Sequence, residues 1–295
     1  MVVDFLDEHA LPAPSLRSWL CGWRPEGRVV WGDWLRCHRM VGQLSPVAAT
    51  GIHVGKHLKA SHMGVFGELV SHCATLGESL LYLQRYQRLI YDGNPSLIMF
   101  QGSDVVISWS RGYGPVSQST DDVALSMLVG MCWQLAGQSF QPLEVRVSGD
   151  PAKDLSPYRE YFGCDVWHGG DQPLVRFSQE AMFLPLQEAD SARIPGLEQE
   201  TERRLQEALA VDIFSHRLDG VLAQLLSRRA CTLSAVADNM EMTVRTLQHE
   251  LSRRSLGFPA AVDRCRMGLA QHYLRQHDLS LGEVSALLGF SEQSA

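Results

Sequence analysis

Lysine is nearly missing from this chain: three lysines stand against 23 arginines, a bias that points to a GC-rich genome more than to a chemistry. Cysteine is present but unpatterned. Cys21, Cys37, Cys73, Cys132, Cys164, Cys231 and Cys265 make an odd number with no CxxC pair, which excludes a disulfide framework and a zinc ribbon and leaves buried thiols as the expectation. No apolar run approaches the roughly 20 residues that span a bilayer. The longest, residues 123–137, is interrupted by Ser126 and Gln134. The opening MVVDFLDEHALPAPS carries acids where a secretory leader needs a basic flank and an apolar stretch, so a cytoplasmic protein without membrane attachment is expected.

Signatures of catalysis are absent too. There is no G-x-S-x-G nucleophile elbow and no glycine-rich phosphate loop after a strand, so no catalytic residue and no cofactor is assigned. His53 and His57 are four residues apart and would share a helix face, with His62 and His72 nearby, but the glutamate of H-E-x-x-H is lacking and no third ligand suggests itself. No metal is assigned. Asp121 and Asp122 resemble a catalytic pair, yet adjacent acids after a threonine are what the start of a helix favours. Trp109, Tyr113, Trp133 and Trp167 are candidates for a pocket lining, with an ordinary core as the plainer reading.

What is present describes a soluble globular protein. The 295 residues suffice for two domains, and hydrophobic residues at 45% with charged residues at 20% carry no disordered or fibrous bias. Net charge is -7 and uneven: residues 228–295 hold eight arginines against seven acids, so the acidic excess lies in the first 227 residues. The asymmetry suggests two parts with different roles.

The first 45 residues carry no clear period beyond a helix over residues 29–40 that packs its tryptophans, followed by a turn at LSPVAATG and a short helix through His53 and His57. T75-L-G-E78 is a capping box, and Leu80, Leu83, Tyr86, Gln87 and Ile90 behind it recur at helical spacing. Residues 96–100 and 105–111, joined by QGSD, predict a hairpin. T120-D-D predicts a helix start, with Leu125, Leu128, Met131, Cys132 and Leu135 on one side and Gly137 at its end. A strand at 143–147, a helix around 158–162 and strand-like VWHGGDQPLVRFS complete an α+β domain with a mainly antiparallel sheet, residues 1–185. The polar, proline-bracketed PLQEADSARIPG reads as a linker, so that residues 186–210 connect to an all-α domain at 211–295, with helices expected at 197–210 and 213–226.

In that last domain Val236, Ala237 and Met240 mark a short helix, Glu241-Met242 break it, and Thr243 caps a second helix that turns Leu247 and Leu251 inward. This is a helix-turn-helix. Forty-eight residues on, Val284, Ser285 and Leu288 repeat the first helix, Gly289 and Phe290 the turn, and Ser291 the cap. Between the copies Pro259 opens a helix whose inward face is Val262, Cys265, Leu269 and Tyr273. At about 17 residues it spans roughly 26 Å, a strut able to hold two reading helices about one DNA turn, or roughly 34 Å, apart.

The tandem arrangement, with VADNMEMTVRTLQHEL, GFPAAVDRCRMGLAQHYL and LGFSEQSA, resembles the AraC/XylS family of bacterial transcription regulators. GVFGELVSHCATLGESLLYLQRY and YFGCDVWHGGDQPLVRFSQEAMFLPL resemble the effector domain of one branch of that family, labelled arabinose-binding-like. The family continues past LGFSEQSA with an aromatic residue and a basic helix, so the resemblance implies a second motif cut short inside its reading helix. It further implies a ligand-responsive regulator, an activator more than a repressor, with promoter DNA, a small organic effector and RNA polymerase as partners and a homodimer as a further expectation.

Helical geometry nominates the DNA contacts. With Leu247 and Leu251 buried, Arg245, Gln248 and His249 point toward a major groove, where Arg pairs with guanine and Gln with adenine. The family's base contacts come from the same positions. Thr243, Arg253 and Arg254 are placed for phosphate, and Gln293 and Ser294 take the equivalent positions in the second copy. No effector-binding residue is assigned. One alternative makes residues 1–185 an enzyme or metal-binding domain with a degenerate helical tail; another makes the shortened chain a sensing or dimerisation module that does not bind DNA.

Overall fold

The structure is a computed structural model that describes residues 1–23, 28–91, 93–111, 116–149, 154–168, 170, 172–254, 256–274 and 281–290. It divides into two compact units, Met1–Gln206 and Glu207–Ala295.

The first unit runs through helices α1 (Val2–Glu8), α2 (Pro14–Cys21), α3 (Trp31–Leu44), α4 (Thr50–Gly55), α5 (Val65–Ser71) and α6 (Leu76–Tyr86). The hairpin β1 (Ser96–Gln101) and β2 (Asp104–Trp109) leads to the long helix α7 (Gln118–Ala136). Then come β3 (Glu144–Val147), α8 (Ser156–Phe162), β4 (Val166–His168) and β5 (Leu174–Ser178). The strands form one sheet in the order β1-β2-β5-β3-β4. Every neighbouring pair is antiparallel except β3 and β4, which α8 joins as a crossover. The α+β reading with a mainly antiparallel sheet therefore describes this unit. Val105, Ile107, Val175 and Phe177 are buried on the strands, and Val123, Leu125, Val129 and Cys132 on α7.

Two helix starts differ in detail from their sequence signals. Thr75 caps α6, its hydroxyl oxygen accepting the Glu78 N–H at 3.3 Å, but the Glu78 carboxylate reaches back to the N–H of Ala74 and not of Thr75. For α7 the cap is Ser117, three residues ahead of Thr120. Asp121 and Asp122 lie in the first turns of α7, at its positive end as their spacing predicts, and both are buried. The Arg111 guanidinium forks onto Asp121 at 2.9 and 2.6 Å, the Ser148 hydroxyl donates to the same carboxylate, and the Tyr158 hydroxyl donates to Asp122 at 2.8 Å. Buried carboxylates persist only when partnered in this way.

The histidine-bearing segment owes its place to its glycines. A Cβ on Gly51 would come within 2.3 Å of the Ser119 carbonyl oxygen, and one on Gly55 within 1.9 Å of the Ser126 hydroxyl. Four residues apart on α4, the two glycines let its backbone rest on α7. His57 meets Glu8 at 2.8 Å and His53 packs edge-on against His9, while His72 is tied to the backbone oxygen of Glu68 at 2.7 Å. Among the described residues no group of three His, Cys, Asp or Glu side chains is placed to hold a metal ion. Cys37, Cys73, Cys132 and Cys265 are buried thiols, whereas Cys21 is exposed and Cys164 and Cys231 are half-buried.

Where two helices were expected after the polar segment, one runs unbroken: α9 (Ile194–Ser227). The residues before it are tied down, with the Asp190 N–H on the His72 carbonyl at 3.0 Å and Arg193 on the His72 ring at 2.6 Å and the Glu68 carboxylate at 2.8 Å. The second unit adds α10 (Leu233–Asn239), α11 (Val244–Arg253), α12 (Phe258–Leu274) and α13 (Leu281–Leu287). Leu218, Leu222 and Leu226 of α9 share its core with Val236, Ala237, Met240, Leu247 and Ala261. No helix among the described residues is long and apolar enough to cross a membrane.

His38 on α3 is buried edge-on to Trp34, and neither ring nitrogen has a hydrogen-bond partner among the described residues. Burial alone pushes its pKa down from 6.5 to about 4. An unfolded histidine takes up a proton near pH 6.5 that the folded one refuses, so this group leaves stability untouched at neutral pH and erodes it as pH falls from about 6.5 toward 4. In denaturant titrations at pH 7 and pH 4.5, His38→Phe should lose about 2 kcal/mol less on acidification than the parent protein. Identical losses in the two proteins would contradict this.

Candidate nucleic-acid interface and effector cleft

In the second unit α10 and α11 are each started by a threonine. The Thr232 hydroxyl oxygen accepts the Ala235 N–H at 3.2 Å and begins α10; Thr243 accepts the Thr246 N–H at 3.1 Å and begins α11. The turn between them is a Schellman closure. Met242 N–H bonds the Ala237 carbonyl at 2.9 Å, Glu241 N–H bonds Asp238 at 3.1 Å, and Glu241 takes a left-handed φ of +57°. Ala237 is fully buried at this point, where a larger side chain would hold the helices apart.

The same geometry recurs 48 residues later. Phe290 N–H bonds the Ser285 carbonyl at 3.1 Å, Leu288 N–H bonds Val284 at 3.0 Å, and Gly289 holds φ +77° where the first copy has Glu241. A Cβ on Gly289 would stand 2.8 Å from the Leu226 carbonyl oxygen, so this copy needs glycine for space as well as for φ. Arg266 of α12 braces the second turn, its guanidinium over the Phe290 ring at 4.8 Å and its Nε donating to the Leu288 carbonyl at 3.2 Å.

On α11, Leu247 and Leu251 are buried and Arg245, Gln248 and His249 are exposed together. Thr243 is exposed at the helix start, its hydroxyl shared between the Thr246 N–H and the Thr246 hydroxyl. Arg254 departs from its expected orientation toward phosphate. Its side chain is only 16% exposed, with the guanidinium lying 4.1 Å over the Phe214 ring and donating to the Glu250 carbonyl oxygen at 2.7 Å and to the Glu250 carboxylate. A glutamate four residues before an arginine signals such a pair, but the aromatic partner lies forty positions upstream. The Arg253 side chain, Ser291, Gln293 and Ser294 lie outside the described residues.

In the first unit a cleft opens between α3, the segment joining α6 to β1, the end of β2, and α7. Trp31 and Trp34 both stack on Tyr91, with ring centres 5.7 and 6.1 Å away. Of the aromatics singled out from sequence, Trp109 lines this cleft. Trp133 instead donates its indole N–H to the Phe140 carbonyl at 2.7 Å, Trp167 is 55% exposed on β4, and Tyr113 lies outside the described residues. Trp31 and Trp34 were expected as packing residues of this helix and not as a cleft lining, although three-residue spacing on α3 places them on one helix face.

Comparison with known proteins bears on both units. Residues 23–186, more than half of the chain, match the model of the arabinose-binding domain found at the N-terminus of AraC transcription regulators. The ornithine utilization regulator of Pseudomonas aeruginosa is 25% identical over 281 residues, covering 92% of this chain and 80% of that protein. The HTH-type transcriptional regulator VirS of Mycobacterium tuberculosis is 33% identical over 140 residues, 47% of this chain and 40% of that protein. The crystal structure of the transcriptional regulator CdpR from Pseudomonas aeruginosa shares the fold, with a TM-score of 0.51 and 18% identity over 99% of this chain and 90% of that one. The chain belongs to the AraC-type transcription regulators that carry this N-terminal domain, and it is a ligand-responsive DNA-binding regulator, not an enzyme.

The duplicated turn generates an asymmetric pair of outcomes. Gly289→Ala should destabilise the protein by about 2 kcal/mol, since it adds left-handed strain to a backbone clash. Glu241→Gly should be neutral or stabilise by up to about 1 kcal/mol, because it relieves the strain at some cost in chain entropy. Equilibrium denaturation followed by circular dichroism checks both, and equal losses would contradict the equivalence of the two turns.

Proposed function

We propose that the protein reads promoter DNA with α11 laid in a major groove, Arg245, Gln248 and His249 making the base contacts. The observation that carries this reading is their joint exposure on the side of α11 opposite Leu247 and Leu251. Arginine spans the two acceptors of guanine and glutamine matches adenine, whereas His249 is the weaker reader. Thr243 and, by its position, Arg253 lie where a phosphate would pass, fixing register without reading sequence. Arg254 supports α11 from behind. Gln293 and Ser294 are the matching readers of the second motif, with α12 as the strut between the two.

In functional terms residues 1–185 form the regulatory domain, 186–210 the connection and 211–295 the DNA-binding domain. The effector binds in the cleft beside Trp31, Trp34 and Trp109. It acts on promoter binding only by favouring one arrangement of the protein over another. Activation through contact with RNA polymerase, a homodimeric state and a cytoplasmic location complete the proposal, supported by family membership. One relative's name refers to ornithine, which makes a dibasic amino acid one effector to test.

Duplexes selected from a random library by the parent protein, then titrated against Arg245→Ala at fixed salt, test the base contact. The variant should lose about 1 to 3 kcal/mol on its preferred sites and relax its preference at one or two base positions. A uniform loss across all duplexes would assign Arg245 to phosphate instead.

A further inference from the structure

The chemistry of the cleft restricts its occupant, an inference that rests on the sensing role proposed above. We propose that it takes an uncharged, mainly hydrophobic molecule with a flat ring system and one polar substituent, and neither a sugar nor a free amino acid.

One wall is aromatic. Trp31 lies 23° from the plane of Tyr91 and Trp34 only 12°, which presents a stacked platform of the kind that favours a flat ring. The facing wall is a stripe of α7, where Ala124, Met127, Leu128 and Met131 recur at helical spacing. Ala124 is the small member of the stripe. Methionines adapt their shape to what sits on them.

The polar lining side chains are Gln87, Asn94, Ser96, Arg111, Thr120 and Asp121, and each already holds a partner within the protein. Gln87 accepts from the Ser96 N–H at 2.6 Å and the Ser96 hydroxyl at 3.0 Å, and donates to the carbonyls of Gln84 at 2.9 Å and Ser96 at 3.1 Å. Among the described lining residues the charged ones are Arg111 and Asp121, and they neutralise each other through two hydrogen bonds. Asp121 also accepts from Ser148.

A sugar carries a hydroxyl on nearly every carbon, and each one left unpaired in a desolvated site costs about 1 to 3 kcal/mol. The polar side chains here are already engaged with partners inside the protein. A free amino acid brings an ammonium and a carboxylate, and ornithine a second ammonium, against a carboxylate already shared by an arginine and a serine. An uncharged ring compound meets neither penalty, and its polar substituent lies at the Arg111 and Asp121 end.

Calorimetric titration of the full chain at pH 7 tests this with 2-naphthol as the uncharged ring probe, 2-naphthoate as its anionic counterpart, and L-arabinose and L-ornithine as the excluded classes. Saturable one-to-one binding of 2-naphthol is expected, with 2-naphthoate at least about tenfold weaker and no saturation by arabinose or ornithine. Ala124→Phe should fill the cleft and weaken 2-naphthol by at least about tenfold while circular dichroism is unchanged, and Ala124→Gly should keep affinity within about threefold. Tighter binding of ornithine or arabinose than of 2-naphthol, no saturable 2-naphthol binding, or indifference to Ala124→Phe would each overturn the inference. Mobility shifts on a selected duplex are read separately. Cleft-specific naphthol binding that leaves DNA affinity unchanged supports the ligand class and counts only against the ligand response.

Discussion

Leu247 and Leu251 are one helical turn apart on α11, and both are buried in the core that α9, α10 and α12 supply. That anchoring is the constraint on which the proposed DNA-reading surface depends. Once two positions of a ten-residue helix are fixed inward, the outward positions follow from the period of 3.6, and Arg245, Gln248 and His249 have no other direction to take. The turn before α11 adds the second constraint. Its Schellman bonds and the left-handed residue 241 set the angle at which α11 leaves α10, and Ala237 is small enough to permit the approach. Arg254 then closes the far end of α11 by folding onto Phe214 and Glu250.

The first unit answers to a different constraint, the burial of α7. Its first turns hold two carboxylates away from solvent, and each survives there because a partner from another element reaches it: Arg111 and Ser148 for Asp121, Tyr158 for Asp122. These partners join the end of β2, the end of β3 and α8 to one helix terminus. The cleft opens beside the same terminus. A ligand seated against α7 therefore touches the helix that organises the sheet, a placement suited to biasing one arrangement of the unit over another.

Legibility in the sequence followed the range of the interactions. The helix-turn-helix was readable because its caps, its turn and its apolar spacing all lie within about 20 residues. The β1–β2 hairpin and the α7 stripe were readable for the same reason. The first 28 residues were not, because α1 and α2 are too short to show a period and are held by packing on distant elements, whereas α3 was expected over residues 29–40 and runs Trp31–Leu44. The cleft was invisible for a related reason: its walls come from residues near 31, 90, 109 and 128, which no local pattern connects. The burial of Asp121 and Asp122 and the inward turn of Arg254 were not legible because exposure is set by partners far along the chain. At α4 the informative residues were Gly51 and Gly55, not the histidines between and beyond them.

The most direct measurement of whether the outer face of α11 occupies a major groove is dimethyl sulfate protection of guanine N7 on a duplex selected by the protein. Protection of one or more N7 atoms within the bound site, disappearing when protein is omitted, is the expected result. A site shielded along its backbone against hydroxyl radicals, with every guanine N7 still fully reactive, would contradict it.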